Sequence, residues 1–258
     1  LTGKVTMTDN LTGTVTTVKT GSNNDTVLLG ANTITNVDTG AGNDAVTLHA
    51  DYGAKVVTLA GGDGSDTLKF ITTTKLSDLA SGSSVTGFET IQLLATGTAM
   101  EIDADLLDDA TFNVEASATG STANLTVVIG SSDTDINLSS LVESTDVANT
   151  VAAMTFIADA SANAAAIAYT GADGAKNTIT GSASAGDVLT GGAYADSFVV
   201  KSDGVMFNAS NVMLDTFVGG ASAASTYDVF TVGTTGTAFT VVAADDFSKS
   251  SGIEQISA

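Results

Sequence analysis

The sequence predicts an all-β chain: parallel solenoid segments of the two-sheet β-roll kind, joined by further β-strand layers. Three observations lead there. A nine-residue pattern centred on an acid recurs along the chain. Runs rich in Thr, Val and Ala alternate with breaks rich in Gly, Ser, Asn and Asp, the punctuation of many short strands. Proline is absent and aromatics make up 5% of 258 residues, which suits thin stacked layers better than a bulky interior.

The clearest copy is Gly61-Gly62-Asp63-Gly64-Ser65-Asp66-Thr67-Leu68-Lys69, which meets every fixed position of the nonapeptide G-G-x-G-x-D-x-U-x, with U a large apolar residue. Its glycines allow a turn that other residues resist. Its acid offers a hard anionic oxygen, the kind of ligand Ca²⁺ takes. Its apolar residue, two places on, points from a short strand into the core. One nonapeptide thus specifies a turn, a calcium ligand and a core position.

Five windows repeat the pattern loosely, at 20–28, 39–47, 172–180, 182–190 and 191–199. The acid position across the six copies reads Asp25, Asp44, Asp66, Asn177, Asp187 and Asp196, and the eighth position reads Val27, Val46, Leu68, Ile179, Leu189 and Phe198. The candidate ligand and turn residues are therefore Asn23 and Asp25, then Gly40, Gly42 and Asp44, then Gly61, Gly62, Asp63, Gly64 and Asp66. In the second half they are Asp173 and Asn177, Asp187, and Gly191, Gly192 and Asp196. Asp215 and Asp228 flank Gly219-Gly220 and read as one degenerate closing turn with a stretched loop. The copies at 172–180 and 182–190 lack glycine pairs, and a solenoid turn without metal accounts for them as well.

Asp25, Asp44 and Asp66 lie 19 and 22 residues apart, which suits coils of two strands each. The intervening runs Asn32-Thr33-Ile34 and Lys55-Val56-Val57-Thr58-Leu59 are the expected opposite strands. Both halves then close alike: Lys75 to Thr86, read as a helical turn, leads to Gly87-Phe88-Glu89-Thr90-Ile91. Residues 243–251 lead to Gly252-Ile253-Glu254-Gln255-Ile256. These closing motifs read as strands entered through a glycine turn. The organisation expected is a first β-roll module at 1–98, a metal-poor β region at 99–165 and a second module at 166–258. In the middle region, 111–117, 124–130, 135–141 and 153–160 alternate like strands, after an acidic patch at Asp103, Asp105, Asp108 and Asp109.

Charge is the second clue. Eight Lys and no Arg face 24 Asp and 5 Glu, a net charge of −21. Asp in such excess over Glu fits tight turns and short-reach ion ligation. A chain this acidic repels itself when compact, and divalent cations at the turns relieve that repulsion, so folding and metal binding are expected to be coupled. Nucleic acid is excluded as a partner by the lack of clustered Lys and Arg. No run of about 18 apolar residues occurs, so no membrane insertion is expected. Cysteine is absent, which removes disulfides and thiol chemistry. The chain opens without Met or an apolar leader and stops within a strand pattern, so a piece of a longer protein is expected, its secretion signal lying outside.

His49 is the single histidine, at the end of a strand run, and no phosphate-cradling Gly-Lys-Ser/Thr motif occurs. A lone His cannot assemble a zinc site without Cys or several carboxylates. The reading of this region is that it is not an enzyme.

Taken together, the calcium nonapeptides, the Gly-[Phe/Ile]-Glu-x-Ile closing strands and the Cys-free, Arg-free, Thr/Ala/Ser/Gly/Asp-rich background resemble RTX-type proteins. More narrowly, the chain resembles the assembly region of surface-layer (S-layer) proteins of Gram-negative bacteria exported by type I secretion. The motifs cover about 20–69 and 172–232, with closing strands at 87–94 and 252–256. The middle third is similar in composition only. Tyr194 and Asn23 stand where the motif has Gly. The resemblance implies an extracellular, cell-surface structural protein. Ca²⁺ orders the subunit and bridges copies of it into a lattice, and contact with a cell-surface polysaccharide runs through regions outside this chain. The alternatives are a calcium-stiffened segment of an RTX adhesin and the non-catalytic RTX tail of a secreted enzyme.

Overall fold

The computed structural model describes residues 6–8, 17–29, 34–48, 51–52, 54–71, 74–77, 79–94, 100–116, 123–143, 154–200, 206–220, 227–232 and 243–257. Their strands are short and rich in Thr and Val, and most bury alternate side chains, the period-2 pattern that makes one face of a sheet a core face. Every named strand pair is parallel, and the strands gather into four sheets that form a β-solenoid.

Sheet I stacks Thr6–Thr8, Thr26–Leu29, Ala45–Leu48, Thr67–Phe70, Thr90–Leu93, Asn113–Ala116 and Val142–Glu143. Sheet II faces its first part with Thr17–Ser22, Asn36–Ala41, Thr58–Ala60 and Ser84–Thr86. Sheet III runs through Lys75–Leu76, Met100–Asp103, Ala123–Val128, Met154–Asp159, Lys176–Thr180, Ser197–Val200, Val229–Val232 and Gln255–Ser257. Sheet IV holds Asp135–Asn137, Ala168–Thr170, Val188–Thr190, Thr216–Val218 and Ser250–Ser251.

The order in which the chain visits these sheets changes along its length. At first it alternates between sheets I and II, the two-sheet roll that the 19- and 22-residue spacings imply. From Lys75 it also visits sheet III, and the coils become three-sided. Sheet I ends at Val142–Glu143, and from Met154 onward the chain alternates between sheets III and IV. After the short 3-10 turn Ala104–Leu106 the chain touches the first strand of sheet IV, where the Asp109 N–H donates to the Asn137 carbonyl at 2.9 Å, before it returns to sheet I at Asn113. Sheet I crosses position 98/99 and sheet III crosses 165/166 without a break, so the three expected sections belong to one hydrogen-bonded stack.

Register puts like on like. Val27, Val46, Leu68, Ile91 and Val114 are directly paired neighbours, and all are buried. Ile179, Phe198 and Phe230 form the matching line in sheet III. There Phe198, Phe217 and Phe230 meet edge-on, with ring centroids 4.8–6.4 Å apart, a geometry that adds quadrupole attraction to burial.

Two expectations need correction. Lys75 to Thr86 is not helical: it forms the strands Lys75–Leu76 and Ser84–Thr86 around a turn at Ser81-Gly82. Pairing to neighbouring coils overrides the local Leu/Ser/Asp pattern there. The strand of sheet II expected near Asn32 begins at Asn36; Asn32 and Thr33 lie outside the described residues.

At Gly40, Gly42, Gly62 and Gly64 glycine is required because a Cβ would strike the turn backbone of the preceding coil. Gly64 has φ +146°, and a Cβ there would overlap the Gly42 carbonyl oxygen of the preceding coil. Gly82 has φ +95° but no atom within 4 Å of a Cβ. Replacing Gly64 by Ala should therefore cost about 3 kcal/mol, and replacing Gly82 by Ala about 1 kcal/mol. Urea unfolding of the two variants in one buffer checks this; equal losses would show that turn stacking is not the constraint.

Candidate metal centre

The register that aligns the apolar positions also aligns the acids. Asp25, Asp44 and Asp66 each precede a strand of sheet I, and all three are buried. The Asp25 N–H donates to Asp44 Oδ1 at 2.7 Å, the Asp44 N–H to Asp66 Oδ1 at 2.7 Å, and the Asp66 N–H to Glu89 Oε2 at 2.6 Å. Each acid thus binds the backbone of the acid one coil earlier, and the line ends on the closing-motif glutamate.

A second ladder repeats the design before sheet III. The Asn177 N–H donates to Asp196 Oδ1 at 2.6 Å, the Asp196 N–H to Asp228 Oδ1 at 2.7 Å, and the Asp228 N–H to Glu254 Oε2 at 2.8 Å. Glu89 and Glu254 are therefore equivalent ladder ends. Gly87 and Gly252 agree as well, with φ +66° and +67°. The sequence identified the duplicated motif but not its glutamates as acceptors. The signal was present in their placement, one coil past the last aspartate of each series.

A shorter line lies on the opposite edge, before sheet IV. Asp215 Oδ1 accepts from the Gly186 and Asp187 N–H groups at 2.6 and 3.0 Å. Asp187 accepts from Ile167 N and Ser182 Oγ at Oδ1, and from Ser182 N at Oδ2. Asp215 and Asp228 consequently belong to different ladders and do not close one turn. The nine-residue repeat alternates edges, so Asp187 pairs with Asp215 while Asp196 pairs with Asp228. The Asp187–Asp215 edge borders a cavity of about 210 Å³ lined by Leu189, Val199 and Phe217.

The turns themselves stack. The Asn23 N–H donates to the Ala41 carbonyl and the Gly42 N–H to the Asp63 carbonyl, both at 2.8 Å, and the Asp63 N–H returns to the Gly40 carbonyl. Asn23 adopts φ +94°, filling a position where the motif has glycine. Outside the acids runs a polar line in which Asn24 Oδ1 accepts from Asn43 N, and Asn43 Oδ1 from Ser65 N. Asp63 and Asp173 are exposed at their turns; Gly191 and Gly192 are buried, and the Gly192 N–H reaches Asp196 Oδ2 at 2.5 Å.

Two atoms point to a cation. Asp44 Oδ2 and Asp66 Oδ2 are buried and have no hydrogen-bond partner. A buried carboxylate oxygen without a partner is costly, and here it stands in a column of like charges. A hard divalent ion is the species that such oxygens, beside glycine-rich turns, would hold. Asn23, Asp25, Asp44, Asp63 and Asp66, with the glycine turns at 40–42 and 61–64, are the residues that fit it.

A third acidic group was only partly foreseen. Asp103, Asp105 and Asp133 bring one carboxylate oxygen each within 4.8 Å of one another, a set that could hold a metal ion. Asp133 comes from a turn 28 residues past Asp105, a proximity no local pattern carries. Asp108 and Asp109 turn instead to Asn137, at 2.7 and 3.1 Å. His49 lies outside the described residues.

Burial sets the electrostatics. It pushes Asp196 up to about 6, against hydrogen bonds from Asn177 and Gly192 that pull it down, and Asp228 adds to the rise. Burial likewise lifts Asp215 to about 6, opposed by the Gly186 and Asp187 N–H groups. Asp66 is raised by burial and, more weakly, by Asp44, Glu89 and Asp63. Asp105 is raised by burial, Asp133 and Asp108.

No family model matches the chain, and neither a curated protein nor a solved structure matches it.

The raised carboxyls give a pH dependence of known sign. Between the ordinary value of 3.8 and about 6, folded Asp196 and Asp215 hold protons that the unfolded chain has released. Stability in chelator therefore falls as pH rises through that window. Melting in EDTA should be several degrees higher at pH 5 than at pH 7.5, and Asp196→Asn should flatten the slope. A melting temperature that rises with pH over this range would contradict the burial of these groups.

Proposed function

We propose that this chain is a calcium-ordered structural protein of a bacterial cell surface, whose copies are joined by Ca²⁺ into a planar, S-layer-type lattice. The observation that carries the reading is the pair of buried, hydrogen-bond-free oxygens on Asp44 and Asp66 within an acid ladder. Bound there, Ca²⁺ would supply positive charge to a column that otherwise repels itself. Its role is structural, and no catalytic step is assigned to this region.

The wider charge balance supports the same reading. A net charge of −21 keeps metal-free chains loose and apart, as export from a cytosol poor in free Ca²⁺ requires. Outside the cell, Ca²⁺ at millimolar levels saturates sites with dissociation constants of about 10⁻⁴–10⁻³ M, the range of extracellular modules. Contacts between such acidic surfaces need bridging cations, and Asp103, Asp105 and Asp133 are an open set of this kind. The adhesin reading draws on a different feature, the unbroken overlap of sheets I and III, which suits a stiff spacer.

Thermal melts in EDTA and in Ca²⁺ test the first step, and a large rise in melting temperature with Ca²⁺ is expected. Equal values would end the calcium reading. Asp66→Ala should weaken binding measured by calorimetry far more than Asn177→Ala does, and the reverse order would refute the assignment of Asp66. Light scattering and negative-stain imaging across a Ca²⁺ titration test assembly. Sheets are expected with Ca²⁺ and not with NaCl of equal ionic strength, since salt only screens. A protein that stiffens but stays monomeric is the adhesin outcome.

A further inference from the structure

We propose that the carboxamide of Asn177 takes the place of a cation at the head of the second ladder, so that the turn at 171–177 closes without metal. This rests on the calcium reading of the other turns. Asn177 is 1% exposed. Its Nδ2 donates to Asp196 Oδ1 at 2.9 Å, to the Ala172 carbonyl at 3.1 Å and to the Ala175 carbonyl at 3.2 Å. Its Oδ1 accepts from the Ala172 N–H at 2.9 Å. One carboxylate oxygen and two turn carbonyls thus converge on a single nitrogen. Those are the oxygen types a calcium ion gathers in an acid turn. The amide meets them with two N–H hydrogens, one of them shared, and adds no negative charge beside Asp196.

The contrast with the first ladder is atomic. Asp44 and Asp66 each keep one buried oxygen without a hydrogen-bond partner, whereas both polar atoms of the Asn177 side chain are engaged. The fit is also tight. A Cβ on Gly171 would lie 2.5 Å from Asn177 Cγ, and one on Gly192 would lie 3.1 Å from Nδ2. The turn closes on this side chain as tightly as the turns at Gly181 and Gly191 close on Asp187 and Asp196, but here the enclosed group brings its own N–H hydrogens to the converging oxygens.

Asn177→Asp tests the proposal because it changes one NH₂ to an oxygen of nearly equal size. That oxygen then faces Asp196 Oδ1 and two carbonyls with no hydrogen between them. In EDTA the N177D variant should melt several degrees below the parent chain. Saturating Ca²⁺ should restore most of the difference, and equilibrium dialysis with Ca²⁺ should find one more ion per chain. Asn177→Ala is the control: it should lose stability in EDTA and in Ca²⁺ alike and gain no ion. The proposal is overturned if N177D melts with the parent in EDTA. It is equally overturned if N177D binds the parent's number of ions, or stays unfolded in excess Ca²⁺. A gained ion in N177D when the parent binds none would uphold the proposal and overturn the calcium reading of the other turns; no ion in either protein would overturn both.

Discussion

The coils at both ends of this fold are tied by one repeated contact, the hydrogen bond from the backbone N–H of a turn residue to the carboxylate one coil further on. It fixes each turn over the next and so sets the register that aligns the apolar side chains. It also compels acids to stack at the spacing of parallel strands, about 4.8 Å. Two unit charges at that distance repel by about 3 kcal/mol at an effective dielectric of 20. The contact that orders the coils is thus also the source of their strain. Burial raises Asp66 and Asp196 and the neighbouring acids add to the rise, while each ladder ends on a glutamate that extends the column by one more carboxylate.

Two-sheet coiling, the apolar line and the acid line could all be read from the chain, because a nine-residue repeat writes turn, ligand and core position in fixed order. Val27, Val46 and Leu68 fell on one line in sequence and do so in space. The three-sided middle could not be read. Asn113–Ala116 and Ala123–Val128 alternate identically, yet one belongs to sheet I and the other to sheet III. Alternation identifies a strand's buried face and says nothing of which sheet receives it. Asp215 and Asp228 were misjoined for a related reason, since nearness in sequence hides the alternation of edges. Asp133 joins Asp103 and Asp105 through coil stacking alone.

The two ladders answer the same conflict differently at their heads. The first begins on an acid, Asp25, and the second on a neutral amide, Asn177; both end on glutamate. The longer glutamate side chain reaches the preceding backbone from a strand entered through a left-handed glycine, at Gly87 and at Gly252. The closing motif therefore conserves hydrogen-bond geometry where the nonapeptide turn stops.

The handover between sheets has a mechanical meaning. Sheet III starts at Lys75–Leu76, well before sheet I finishes at Val142–Glu143. A carpenter would call this a scarf joint: two members are spliced by a long overlap, and neither is butted against the other's end. No cross-section between those points cuts the only continuous sheet. Load carried along the stack passes from one sheet to the other gradually through shared coils, whereas outside the splice the described strands of each coil belong to two sheets alone.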